Sequence, residues 1–269
     1  MTTHGRGDRT IRDFGEQWTH YTDNDGYYGS SELFADIVRP LLEPADFQGA
    51  SVAELGSGTG RVARMMMEAG AARVIALEPS EAMAALRRNT ETWAPRITYL
   101  QTTAERLPAS GDLDLVVSIG VLHHIPDPVP AVRAALAALK PGGRILAWLY
   151  GREGNELYLT LAEPARRITC RLPHSVRSAV SRALDVPLSA YVALCRRLPL
   201  PMSDYMNSHL GRLSPAARRL TIYDQLNPTW AKYYTEAEAR ALVEEAGFEQ
   251  VRLHHRHGYS WTVVGTKPG

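Results

Sequence analysis

The run Val52-Ala53-Glu54-Leu55-Gly56-Ser57-Gly58-Thr59-Gly60 constrains this chain most. An apolar lead-in, three glycines alternating with small residues and a helical pattern from Arg61 read as strand, tight turn and helix. A turn stripped of side chains lets a ligand lie against the backbone. Dinucleotide-binding turns space their glycines as G-x-G-x-x-G, which would put the third at position 61, where this chain has Arg61. Glu54 would also set an anion beside a pyrophosphate, so the turn suits a ligand carrying positive charge.

The pattern then repeats. Strands are expected at Ser51–Leu55, Arg73–Leu77, Ile97–Leu100, Asp112–Gly120 and Arg144–Tyr150. Between them lie helices carrying Val62, Met65, Met66 and Ala69, then one capped by Ser80, then one carrying Val132, Ala135, Leu136 and Leu139. Asp127 followed by Pro128 reads as the cap and first residue of that last helix. The methionines read as core filling. Such alternation predicts an α/β fold with a largely parallel sheet covered on both faces. Glu78 ends the second strand in the position where one carboxylate takes both hydroxyls of a ribose.

Glu54–Gly60 fits [D/E]-x-G-x-G-x-G, Leu136–Leu146 reads L-x-x-L-K-P-G-G-R-I-L, and Val121–Asp127 reads V-L-H-H-x-x-D. Over residues 51–150 the chain therefore resembles the class I S-adenosylmethionine-dependent methyltransferases, in particular metabolite-modifying members. The resemblance implies a Rossmann-like seven-stranded sheet, S-adenosylmethionine as cofactor and S-adenosylhomocysteine as product. It assigns the cofactor to Glu54, Gly56, Ser57, Gly58, Gly60, Glu78, Pro79, Thr103, Ala104, Glu105 and Ser118. Relatives commonly read G-D-A-E-x-L-P where this chain has Thr102-Thr103-Ala104-Glu105-Arg106-Leu107-Pro108. Thr103 thus replaces the Asp that accepts from the adenine amino group, and its hydroxyl is left to accept instead. The N-P-P-Y tetrapeptide of nucleobase and glutamine methylation is absent.

Methyl transfer needs alignment of donor and acceptor, exclusion of water, and a base where the acceptor carries a proton. His123 and His124, after the fourth strand, are the expected catalytic groups, with His123 facing the ligand. Tyr27, Tyr28, Tyr223, Asp224, Asn227, Tyr234 and His255 are the expected substrate contacts, because they set polar tips among aromatic walls. His254, His255 and His257 read as polar strand residues, with 255 and 257 on one face and no metal site. The expected reaction is methylation of an O or N atom of a small or lipid-linked metabolite. Non-methylating use of the same cofactor, a nicotinamide oxidoreductase and a catalytically silent binding module are the competitors.

Four segments follow. Residues 1–50 hold aromatics and glycines without clear periodicity up to residue 30, read as an arm or a lid, then a helix from Ser31 ended by Pro44 and Gly49. Residues 51–150 form the cofactor-binding core. Residues 151–234 interrupt the pattern with helix-like runs punctuated by Pro164, Pro173, Pro187, Pro199, Pro201 and Pro215. Residues 235–269 supply a last helix behind a Thr235–Glu238 capping box and a terminal strand pair. The insertion stands above the ligand-binding edge of the sheet, and reads as a substrate cap, a dimerisation surface or a membrane contact. Its residues 151–220 hold 11 Arg, no Lys and 5 acids, a net of +6 in a chain of +1 overall. That excess points to an anionic small molecule or surface. No basic tail favours nucleic acid. Two distant cysteines, no spanning apolar run and no secretory leader give a cytoplasmic expectation.

Overall fold

The computed structural model describes residues 3–269. Seven strands form one sheet: β1 (Ser51–Leu55), β2 (Arg73–Leu77), β3 (Ile97–Leu100), β4 (Leu113–Ile119), β5 (Leu139–Tyr150), β6 (Glu249–Arg256) and β7 (Ser260–Thr266). Their spatial order is β3-β2-β1-β4-β5-β7-β6. The first five run parallel and β7 runs antiparallel between β5 and β6. The order reverses between β1 and β4, which opens a crevice at their C-terminal ends, and ligands of open α/β sheets bind there.

Helices α1 (Thr3–His20), α2 (Ser31–Val38), α3 (Arg61–Glu68), α4 (Met83–Asn89) and α5 (Val129–Ala138) precede the insertion. One apolar layer joins α2 and α3 to the sheet through Phe34, Ile37, Met65 and Val74; the other packs Val132, Ala135 and Val243 against Val116 and Ile145. Both sheet faces are thus dry, which is why the central strands read as continuous apolar runs.

Several boundaries differ from expectation. Residues 3–20 form α1, where no periodicity was expected. Its inward face is Gly7, Ile11, Phe14 and Trp18, at helical spacing, but glycine and abundant charge on the other faces dilute the pattern. The helix from Ser31 stops at Val38, before Pro40, rather than at Pro44. Asp127 does not cap α5, which begins at Val129 with no side-chain cap.

The insertion contains α6 (Glu156–Thr169), α7 (His174–Cys195), α8 (Ser203–Ser208) and α9 (Pro215–Leu226), and α10 (Glu236–Glu244) returns the chain to the core. Pro164 and Pro187 lie inside α6 and α7 instead of separating helices. The expected capping box is present: Thr235 Oγ1 accepts from Glu238 N at 3.2 Å and Glu238 Oε2 from Thr235 N at 2.9 Å. Val192, Cys195, Met206, Leu210 and Leu213 give the insertion a small core of its own. Among the described residues no helix is long and apolar enough to cross a membrane.

Two clamps join the insertion to the rest. Arg177 pairs with Glu16 and Asn227, Asn227 donates to the Asp13 carbonyl at 2.8 Å, and Asp13 accepts from Thr229. At the far end His257 bridges Asp36 at 2.9 Å and Asp204 at 2.7 Å, and Arg256 pairs with the same Asp36. β6 ends at Arg256 and His257 sits in a left-handed turn at φ 48°, so it shares no strand face with His255.

Candidate active site

The β1 turn forms the floor of a cavity of about 530 Å³. Gly56, Gly58 and Gly60 adopt φ of 73°, 51° and 84°, in the left-handed region that glycine alone enters freely. Space demands glycine as strongly as dihedral angle does. A Cβ on Gly56 would stand 2.6 Å from a Val121 methyl, and one on Gly60 2.9 Å from Leu86 and Thr90. Gly58 lies beneath the Trp18 indole, 3.3 Å from the position its own Cβ would take.

Glu54 closes the floor. Its side chain is 2% exposed and Oε2 has no hydrogen-bond partner. Burial pushes its carboxyl up to about 8, against the opposing pull of Ser57 and Arg61. A sealed, unsatisfied carboxylate is costly unless a cation completes it. Glu78 is differently placed: Oε2 accepts from Gly58 N at 2.8 Å and Oε1 from Ser80 N at 2.9 Å. Oε1 also accepts from the Ser80 hydroxyl, so Oε2 is the oxygen that keeps a lone pair for a ligand hydroxyl while the carboxylate holds the glycine turn closed. Glu78→Ala is therefore expected to weaken S-adenosylmethionine binding at least about tenfold by calorimetry, whereas Asp224→Ala spares it. Unchanged affinity in Glu78→Ala would remove the ribose role.

Pro79, Thr103, Ala104 and Glu105 continue one wall of the cavity. Thr103 Oγ1 donates to Glu105 Oε1 at 2.7 Å and keeps its own lone pairs to accept with. The carboxylate at 105 is then the strongest acceptor on this wall.

The two histidines exchange their expected places. His124 lines the cavity, and its Nδ1 lies 2.9 Å from the Trp230 carbonyl, an oxygen that only accepts. The proton is therefore on Nδ1 and Nε2 keeps its lone pair. Burial lowers the ring to about 3, so His124 is neutral. His123, expected to face the ligand, is fully buried and stacks on Tyr150 at 3.8 Å; burial lowers it well below the usual histidine range. Both its nitrogens lack partners. A one-residue difference in a 3-10 turn rotates the side chain away, which spacing in sequence does not reveal.

Of the other expected residues, only Tyr28 lines this cavity. Ser57, Gly60 and Ser118 stand behind its surface: Ser57 N is bonded to the Leu77 carbonyl at 2.7 Å, Gly60 packs on α4, and the Ser118 hydroxyl is buried without a partner. Tyr27 and His255 line a second depression beside Asp36, Arg212 and His257. Tyr223 is fully buried and bonded to His174 at 2.9 Å, Asn227 is consumed by the α1 clamp, and Tyr234 packs in the main core. Asp224 accepts from Gln17 of α1, and burial raises it to about 7 against Gln17 and Arg61. Arg61 lies 4.4 Å above the Tyr28 ring, which links Asp224 to the cavity wall. The wall that sequence reasoning missed is Gly7, Ile11, Phe14 and Trp18 of α1, whose spacing was the available signal.

A glycine turn, a sealed carboxylate and a second strand-end carboxylate meet at the switch point of this strand order, where the resemblance places S-adenosylmethionine. The unsatisfied Glu54 oxygen fits the cofactor's cationic end, and the glycine cradle fits its close approach to the backbone. Residues 53–147 match the family model described as a methyltransferase domain. The chain is 33% identical over 135 residues to the ubiquinone biosynthesis O-methyltransferase of Cereibacter sphaeroides (strain ATCC 17025 / ATH 2.4.3), covering 50% of this chain and 55% of that one. It is 30% identical over 135 residues to the tRNA U34 carboxymethyltransferase of Idiomarina loihiensis, covering 48% and 41%. The chain thus spans about half the length of the curated relatives it matches. A solved S-adenosylmethionine-dependent methyltransferase from Thermotoga maritima shares the fold, with a TM-score of 0.53 at 20% identity over 96% of this chain and 99% of that one. Residues 53–147 of this protein are thus similar to a methyltransferase domain, and the chain shares the fold of that solved methyltransferase.

Proposed function

We propose that the chain moves a methyl group from S-adenosylmethionine to an O or N atom of a small or lipid-linked metabolite. One observation carries this reading: Glu54 is buried beneath the glycine turn and its Oε2 has no partner among the described residues, a gap that a cationic ligand completes. When bound, the cofactor supplies an already activated methyl group on its sulfonium. The chain's own residues then position and exclude. Glu78 holds the turn and the ribose, and Phe14 and Trp18 of α1 close the cavity against water. Neutral His124 offers the Nε2 lone pair to orient an acceptor hydroxyl or amine. Asp224, whose carboxyl burial raises to about 7, stands outside the cavity lining and is held by Gln17. A cytoplasmic location belongs to this reading, with Cys170 and Cys195 as free thiols.

The test is incubation with methyl-labelled S-adenosylmethionine and an extract of the native host. Label in small-molecule or lipid fractions, with stoichiometric S-adenosylhomocysteine, is the expected result. Label in RNA, the acceptor class named for the tRNA-modifying relative, overturns the substrate class. Cofactor consumption without label in any acceptor moves the reading to non-methylating chemistry.

The exterior of the insertion favours a lipid surface as a further contact. Leu157, Leu161 and Ile168 are 74%, 74% and 66% exposed and lie along one side of α6, opposite its buried Leu159. The insertion that carries this face has a net charge of +6 over residues 151–220, which complements anionic lipid. Cosedimentation with phosphatidylglycerol vesicles but not with neutral ones is expected; equal recovery with both, or a salt-resistant dimer that hides the stripe, sinks it.

A further inference from the structure

Arg166, midway along α6, is 8% exposed. The other deeply buried arginines are Arg177 and Arg256, each with a carboxylate, Glu16 and Asp36 respectively; Arg218, also in the insertion, pairs with Asp185. Arg166 has none within ion-pair distance among the described residues. Its one hydrogen bond is a 3.5 Å contact from Nη1 to the Tyr233 hydroxyl, and the guanidinium lies 5.6 Å from that ring. Nε and Nη2 make no hydrogen bond, yet they are not among the side-chain atoms sealed from solvent. Two donors of a rigid, permanently charged fork are therefore left open in a largely dry setting.

The surroundings place this fork beside the active site. The Arg166 charge acts on His123 and His124, and on Tyr158 and Tyr233. Gln225 joins the hydroxyls of Tyr150, Tyr158 and Tyr233 by bonds of 2.9 to 3.0 Å, and Tyr150 stacks on His123. Aromatic faces, neutral histidines and one uncompensated cation thus meet under the insertion, at the edge of the sheet where His124 borders the cofactor cavity.

We propose that Arg166 anchors an oxyanion of the acceptor substrate. The proposal rests on the methyltransferase reading and narrows its substrate to a molecule that carries a carboxylate or a phosphate. The guanidinium is largely buried without an acid, and a bidentate carboxylate or a phosphate satisfies the open face of the fork. The positive insertion attracts such a substrate from a distance.

The test is calorimetry on the full chain with benzoate, phenyl phosphate and neutral benzamide as probes, each with and without S-adenosylhomocysteine. Benzoate or phenyl phosphate is expected to bind at least about tenfold tighter than benzamide, and the better of the two identifies the anion. Arg166→Met removes that preference, Arg166→Lys keeps part of it, and neither changes S-adenosylhomocysteine affinity. Because Met relieves an unpaired buried charge, Arg166→Met is also expected to melt no lower than the parent chain. No anion preference in the parent chain, a preference that survives Arg166→Met, or a lowered Tm in Arg166→Met with probe binding intact overturns the anchor. Failure of S-adenosylhomocysteine to bind the parent chain counts against the cofactor reading alone, since the probe titrations without it still decide on Arg166.

Discussion

Glu54→Gln is expected to lower S-adenosylmethionine affinity by about 100-fold, with a smaller loss for S-adenosylhomocysteine, which lacks the sulfonium charge. The expectation follows from the sealed position of Glu54, where no protein donor balances Oε2. The pH dependence gives a sharper readout. Burial raises this carboxyl from the ordinary 4.5 to about 8, so at neutral pH the free protein holds the proton. A cationic ligand must displace it. Affinity should therefore climb as pH rises from about 6 and level off above about 8, while Glu54→Gln binds with a flat profile. The same shift acts on stability with the opposite sign. The folded state holds a proton that the unfolded state releases, so this group's contribution falls as pH rises from about 4.5 through about 8. Calorimetry across that range decides the matter: a flat profile in the parent chain means that Glu54 does not meet the cation.

Gly56→Ala should be as damaging for a different reason. The backbone there has φ 73°, and the new methyl would meet two Val121 carbons at 2.6 and 2.8 Å. Left-handed strain of roughly 1 to 2 kcal/mol and overpacking of roughly 1 to 3 kcal/mol fall on one residue at the centre of the turn. Because Val121 also lines the cavity, relief by its movement displaces the cofactor wall. Loss of about 100-fold in S-adenosylhomocysteine affinity is expected, with Val121→Ala restoring the steric share but not the dihedral share. If Gly56→Ala binds normally, or if Val121→Ala rescues nothing, the cradle is not set by this contact.

The parts that were legible in the sequence are those in which neighbours along the chain are also neighbours in space. β1, β2 and β3 begin and end where their apolar runs do, and the Thr235–Glu238 box forms within four residues. Glu54 and the three glycines line or support one cavity because a single strand and a single turn carry them. α1 was missed because its buried face is built from widely spaced residues, two of them aromatic, among charges that favour no one structure. What fixes it is remote: Asp13 on Thr229, Gln17 on Asp224 and Asn227, and Glu16 on Arg177. The substrate contacts expected from the insertion fared similarly. Tyr223 and Asn227 looked poised for a ligand, but His174 and the α1 clamp take their polar groups.

By itself the sequence determined the alternation of strands and helices, the glycine turn and the carboxylates at the two strand ends, because period and local sterics act over a few residues. Only the tertiary structure decided which histidine meets the cavity, which tyrosines are already spoken for, and that the buried Arg166 has no acid among the described residues. Those outcomes depend on where an 84-residue insertion (residues 151–234) folds back over the sheet. A partner for a buried charge is chosen by distance in space, and the order of residues in the chain carries no record of that distance.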